Sequence, residues 1–222
     1  MRVAPVGHAF DNEEEVLAEA EKSACVTHDH PEGIRGAQAI AWAVFAARTG
    51  GDKPFIREEI TARFGYDLGS TLADISPGYR FDVSCAGSVP QAIISFLEAD
   101  DWQDAVRNAV SLGGDSDTLA CMAGAVAEAF WGGIPAAVYA QMRRYLPTDF
   151  QKPSRPFTPV SPCRFTAGET GDTHHHALLL EIIANLQLKM VVWYFGNFWS
   201  ERRSHSRTSG IDDATTIQGA AP

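Results

Sequence analysis

Residues 111–135 read SLGGDSDTLACMAGAVAEAFWGGIP. The paired glycines Gly113 and Gly114 form a flexible break, and a helix is expected from Asp117 to Trp131. Ala120, Ala123, Gly124 and Ala127 make that helix slender. Small side chains let neighbouring axes approach closely, so this is the expected central helix of a compact bundle.

The flanking segments repeat the helical period. Asn12 is a plausible N-cap, and the acidic turn Glu13, Glu14 and Glu15 suits the positive end of a helix leading into Val16, Leu17, Ala20 and Ala24. In residues 33–50, Ile34, Ala37, Ala41 and Phe45 share a stripe that stops at Gly50. Phe55, Ile56, Ile60 and Phe64 mark another helix, and Pro90 is expected in the first turn of the next. Residues 101–114 open on Asp101 and close on the glycine pair. No stretch alternates with β-branched residues, so the expected class is all-α. The Trp and Phe residues along these helices are expected in the core.

Composition bounds the function. The 222 residues suffice for a full core without disulfides. The net charge of −10 argues against nucleic acid, which needs a basic face. Residues 1–150 hold 22 Asp+Glu against 11 Lys+Arg, whereas residues 151–222 hold 6 against 7. The chemistry is therefore sought in the acidic body. Cys25, Cys85, Cys121 and Cys163 form no CxxC pair, and residues 1–15 lack the apolar run of a signal peptide. A reducing, cytoplasmic setting is expected.

From Asp149 the character changes. Pro153, Pro156, Pro159 and Pro162 recur at the polyproline period, which makes residues 148–175 an expected linker. Residues 176–222 read as a tail helix (176–195) and a disordered end. Glu181, Asn185, Gln187 and Lys189 interrupt the tail's apolar run, so no membrane span is expected.

Asp115, Asp117 and Thr118 place oxygen donors at the entry of the small-residue helix. Positions i and i+2 of a helix point about 200° apart, so both carboxylates can face one point only if the entry is non-helical. The glycines supply that entry. Carboxylate and hydroxyl oxygens suit a hard cation such as Mg²⁺ or Mn²⁺. The plainer alternative is that Ser116 or Asp117 caps the helix. A Walker A loop is excluded, because no Lys-Ser/Thr pair follows the glycines.

A second cluster, THDHPEGIRGAQA at residues 27–39, holds His28, Asp29, His30 and Glu32. It reads as a helix–helix junction with Pro31 and Gly33 in the turn. There, a histidine either donates hydrogen bonds into a cleft or caps a helix end.

These segments carry a resemblance. Residues 88–135 resemble the C-terminal signature of the ADP-ribosylglycohydrolase family, which includes the dinitrogenase reductase-activating glycohydrolase. MRVAPVG at residues 1–7 and the segment at 27–39 resemble two earlier family segments in the same order. The resemblance covers residues 1–147. It implies a compact orthogonal helical bundle carrying two Mg²⁺ or Mn²⁺ ions in an acidic cleft. It also implies hydrolysis of the glycosidic bond joining ADP-ribose to a protein side chain or a small compound. Asp115, Asp117 and Thr118 match the family's C-terminal metal ligands, and His28 matches a position lining the ADP-ribose cleft.

In the family, the MRVxPVG segment lies well inside the chain. A Gly-rich diphosphate loop and a Thr-Asp-Asp metal run precede it. No Thr-Asp-Asp run occurs in residues 1–110 here. The resemblance thus implies a domain lacking its N-terminal helices, with weak metal binding and little activity. The alternative is a non-catalytic helical remnant that binds a ligand or a protein.

Overall fold

The computed structural model describes residues 1–145. The expected linker at 148–175 and tail at 176–222 lie outside them. Among the described residues there are nine helices and no strand. In chain order they are α1 (Ala4–Ala9), α2 (Glu13–His28), α3 (Pro31–Arg48), α4 (Lys53–Phe64), α5 (Leu72–Ile75), α6 (Cys85–Leu97), α7 (Trp102–Ser111), α8 (Ser116–Trp131) and α9 (Ala136–Tyr145).

Several boundaries have short-range causes, those at Asn12 and Asp101 as read from the sequence. The Asn12 side chain accepts from Glu14 N at 2.7 Å and starts α2. The Asp52 carboxylate accepts from Phe55 N and that of Asp101 from Asp104 N, each at 2.8 Å, starting α4 and α7. Gly65 and Gly132 end α4 and α8 in the left-handed region, with φ of 68° and 74°.

One boundary differs. Pro90 lies inside α6 rather than in its first turn. The Ser84 hydroxyl accepts from Gly87 N at 3.0 Å, so the helix begins before the proline. The bond that Pro90 cannot donate is the one to the Ala86 carbonyl, at the helix's own start, where the loss is small.

Two helices organise the core. α3 packs against α1, α2, α4, α6 and α8, and α8 packs against α1, α3, α6 and α7. Being surrounded, α3 is buried almost all round: Ala39 to Val44 are all buried. The stripe expected from its period shows only Ala41 buried, with Ile34, Ala37 and Phe45 half-buried. α8 is slender as expected, with Ala120, Ala123, Gly124 and Ala127 buried. The Gly124 carbonyl accepts from Trp102 Nε1 at 3.0 Å, which ties α7 to α8.

α1 was not legible as a helix. It sits on α3 because Gly7 carries no side chain: a β-carbon there would lie 2.8 Å from Val44 Cβ. The aromatics are also less uniformly buried than expected. Trp42, Phe96 and Trp102 are buried, whereas Phe81 is 68% exposed on the loop before α6.

Candidate functional site

The entry to α8 is built as its donor pattern requires. Gly113 and Gly114 adopt φ of 75° and 61°, a region that side chains disfavour. They turn the chain so that Asp115 stands outside the helix as its N-cap residue (φ −81°, ψ 58°), while Asp117 lies within the first turn. The Asp115 side chain makes no capping hydrogen bond. Asp117 Oδ1 instead accepts from Thr118 N at 2.9 Å. Ser116 and Asp117 are therefore not the N-cap, and the true N-cap residue leaves its carboxylate for other work.

The three donors meet. Burial raises the Asp115 pKa above the usual carboxylate value, a hydrogen bond shared with Asp117 raises it further, and the Thr118 hydroxyl pulls it back. Two carboxylates and a hydroxyl this close together form a hard-oxygen site whose charge repulsion a divalent cation would relieve. The donor chemistry fits Mg²⁺ or Mn²⁺. No group of three or more His, Cys, Asp or Glu in metal-binding arrangement occurs among the described residues. Such a cation would therefore keep several positions for water or ligand, as Mg²⁺ commonly does.

Two residues of this site escaped sequence reasoning. The Tyr79 ring lies against Gly114, where a β-carbon would sit 2.9 Å from Tyr79 Cε1. Its hydroxyl donates to the Gly87 carbonyl at 3.0 Å. Burial raises the Tyr79 pKa, and the nearby carboxylates of Asp82 and Asp115 raise it further. Asp82 holds the start of α6 by accepting from Ser84 N at 2.7 Å, which keeps its carboxyl below the usual range. The only signal for either was an aromatic and an acid in the loop before α6.

The starts of α3, α6 and α8 and the end of α2 are linked by contacts. Gly36 of α3 packs on Cys85 and Val89 of α6. Tyr66 donates to Glu32 Oε1 at 3.1 Å, and the Arg35 guanidinium lies 5.4 Å from the centre of the Tyr66 ring. The amino group of Met1 is turned inward near Cys121 and Cys85, and burial lowers its pKa, although the residue as a whole is half exposed. Burial pushes the Cys121 thiol up to about 11, so it stays protonated and unreactive. Cys121 follows Asp117 by one helical turn.

His28 is the last residue of α2 and is exposed. It makes no hydrogen bond with Asp115, Asp117 or Thr118, and the chain start lies between them, Arg2 donating to Thr27 Oγ1 and Met1 approaching Cys121 of α8. The second histidine has the capping role: His30 Nδ1 accepts from Glu32 N at 3.2 Å and begins α3.

A family model, ADP-ribosylglycohydrolase, matches residues 1–158. An uncharacterized protein of Archaeoglobus fulgidus is 29% identical over 150 residues, covering 61% of this chain and 49% of that protein. A solved structure described as an ADP-ribosylglycohydrolase-related protein complex shares 27% identity at a TM-score of 0.48, covering 60% of this chain and 49% of that one. The chain spans about half the length of these two relatives. With more than half its residues matched by the family model, and with an all-α structure over its described part, this chain belongs to the ADP-ribosylglycohydrolase family.

Proposed function

We propose that this chain carries the C-terminal metal-binding part of a hydrolase that cleaves the glycosidic bond of ADP-ribosyl groups, on modified protein side chains or on small ADP-ribosyl compounds. The observation that carries the reading is the meeting of Asp115, Asp117 and Thr118 behind the left-handed glycines. Asp115 and Asp117 would hold Mg²⁺ or Mn²⁺ with Thr118 as a neutral third donor. When bound, the cation supplies charge stabilisation at the sugar as the bond to its anomeric carbon breaks. Family enzymes hold two such ions. Asp115 and Asp117 are also the carboxylates best placed to orient an attacking water. Tyr79 closes one side of the site over Gly114, and His28 would contact the ADP-ribosyl group from the α2 end.

The free thiols Cys25, Cys85 and Cys121 support placing the protein in the cytoplasm. Among the described residues no helix is long and apolar enough to cross a membrane.

The test is release of ADP-ribose from modified protein by the 222-residue chain, with and without millimolar Mg²⁺. Three oxygen donors from a single segment predict weak metal binding and slow release. Robust turnover sensitive to chelators would show that these donors suffice. A second reading, a non-catalytic module, is favoured by the same clustering of every donor on one segment. Calorimetry showing ADP-ribose binding without any release would select it.

A further inference from the structure

The last turn of α2 holds a hydrogen-bond chain that the metal site does not use. Arg2 Nη2 donates to the Ser23 carbonyl at 3.2 Å and also to Thr27 Oγ1. Thr27 Oγ1 in turn lies 2.6 Å from His28 Nδ1. A helical threonine ordinarily sends its hydroxyl proton back to the carbonyl four residues earlier, which for Thr27 is that of Ser23. Arg2 occupies that carbonyl here. A guanidinium only donates, so Thr27 receives a hydrogen bond from Arg2 and keeps its own proton to give. The charge on Arg2 polarises the hydroxyl into a better donor and disfavours a second N–H directed at the same oxygen. The acceptor within reach is His28 Nδ1.

We infer that Arg2 and Thr27 are positioning residues that hold His28 in its neutral Nε2–H form, so that the imidazole presents a donor to an acceptor oxygen of the ligand. The ligand class is one rich in such oxygens, a diphosphate or ribosyl group. This rests on the reading that His28 faces the ADP-ribosyl group. The tautomer of a histidine is set by the bond its other nitrogen makes, and here that bond is supplied by the preceding residue and by the chain start.

The experiment is long-range ¹H–¹⁵N spectroscopy of the full chain labelled at histidine, at about pH 8.5, well above the ordinary imidazole value. His28 is assigned through His28→Gln. The expected spectrum shows an unprotonated Nδ1 and a protonated Nε2. In Thr27→Val, which keeps the side-chain shape, the Nε2–H to Nδ1–H ratio falls by about fivefold, the value of one hydrogen bond. Thr27→Ser restores it, and Arg2→Met gives an intermediate ratio. A protonated Nδ1 in the parent chain, or a ratio unchanged in Thr27→Val, overturns the inference. Added ADP-ribose should shift the Nε2 resonance. If that resonance stays still while the ratio still answers to Thr27, the positioning chain stands and the ligand reading of His28 falls.

Discussion

The ring of Tyr79 rests on the backbone of Gly114, one residue before Asp115, with a hypothetical β-carbon only 2.9 Å from Tyr79 Cε1. The same glycine has φ of 61°, whereas Gly113 has φ of 75° and open space beside it. The two glycines therefore answer different demands. Gly113→Ala is expected to cost about 1 kcal/mol through backbone strain alone. Gly114→Ala should cost about 2–3 kcal/mol, because strain and displacement of Tyr79 add. Urea unfolding of the two variants would check the order. Equal losses would mean that Tyr79 does not rest on Gly114.

Removing either acid should abolish the response to metal. At about ten times its dissociation constant, a cation that binds only the folded chain adds about 1.4 kcal/mol, or about 3–6 °C in Tm. Asp115→Asn and Asp117→Asn are each expected to lose that gain with Mg²⁺ and Mn²⁺, while Asp82→Asn keeps most of it. Differential scanning fluorimetry measures this directly.

The stability of the chain should depend on pH through Glu128, away from Asp115 and Asp117. Glu128 is half-buried on α8, and burial raises its pKa above the ordinary glutamate value. An acid whose folded pKa is raised makes a contribution that is fully present below the unfolded pKa and is lost as pH rises through the folded pKa. Near pH 7 the folded state therefore bears the cost of a desolvated carboxylate. Glu128→Gln is expected to be more stable than the parent at neutral pH. The advantage should shrink as pH falls through the raised pKa toward the ordinary carboxylate range. A variant less stable at neutral pH would show that the carboxylate has a favourable partner.

Lys53 is held by aromatic faces. Its Nζ lies 5.0 Å from the ring centre of Trp131, 5.5 Å from that of Phe96 and 5.8 Å from that of Phe130. It also donates to the Ala99 carbonyl at the end of α6. Burial lowers its pKa, while Asp100 and Asp104 oppose that change. Lys53→Met keeps the stem and removes the charge, so it should cost about 1–2 kcal/mol. The part of that loss due to the rings and the Ala99 carbonyl should persist in high salt, whereas the part due to Asp100 and Asp104 is screened. Guanidinium and urea unfolding curves, compared, would reveal a salt-sensitive loss if surface ion pairing were the cause.

Legibility followed the range of the interactions. The caps at Asn12 and Asp101 were readable because a side chain and the backbone it bonds lie within three residues; Asp52 caps α4 in the same way and was not read. The turn at Gly113 and Gly114 was readable for the same reason, and it separated Asp115 from Asp117 as their spacing demanded. Pro90 was misplaced because what starts α6 is Ser84, several residues upstream, with Asp82 bracing it. The expected stripe on α3 failed because a helix surrounded by neighbours has no single buried face.

The residues of this chain by themselves determined a helical protein and a cluster of hard oxygen donors at the mouth of one slender helix. Both depend on period and spacing along the backbone, which sequence records directly. Only the tertiary structure decided that Tyr79 and Asp82 belong beside that cluster, that Arg2 reaches Thr27 across 25 positions, and that His28 stands apart from the acids it accompanies in the family pattern. Those relationships depend on which helix ends meet in space. They are set by how closely helices can pack where Gly7 and Gly36 leave room, a property of surfaces in contact that no local pattern encodes.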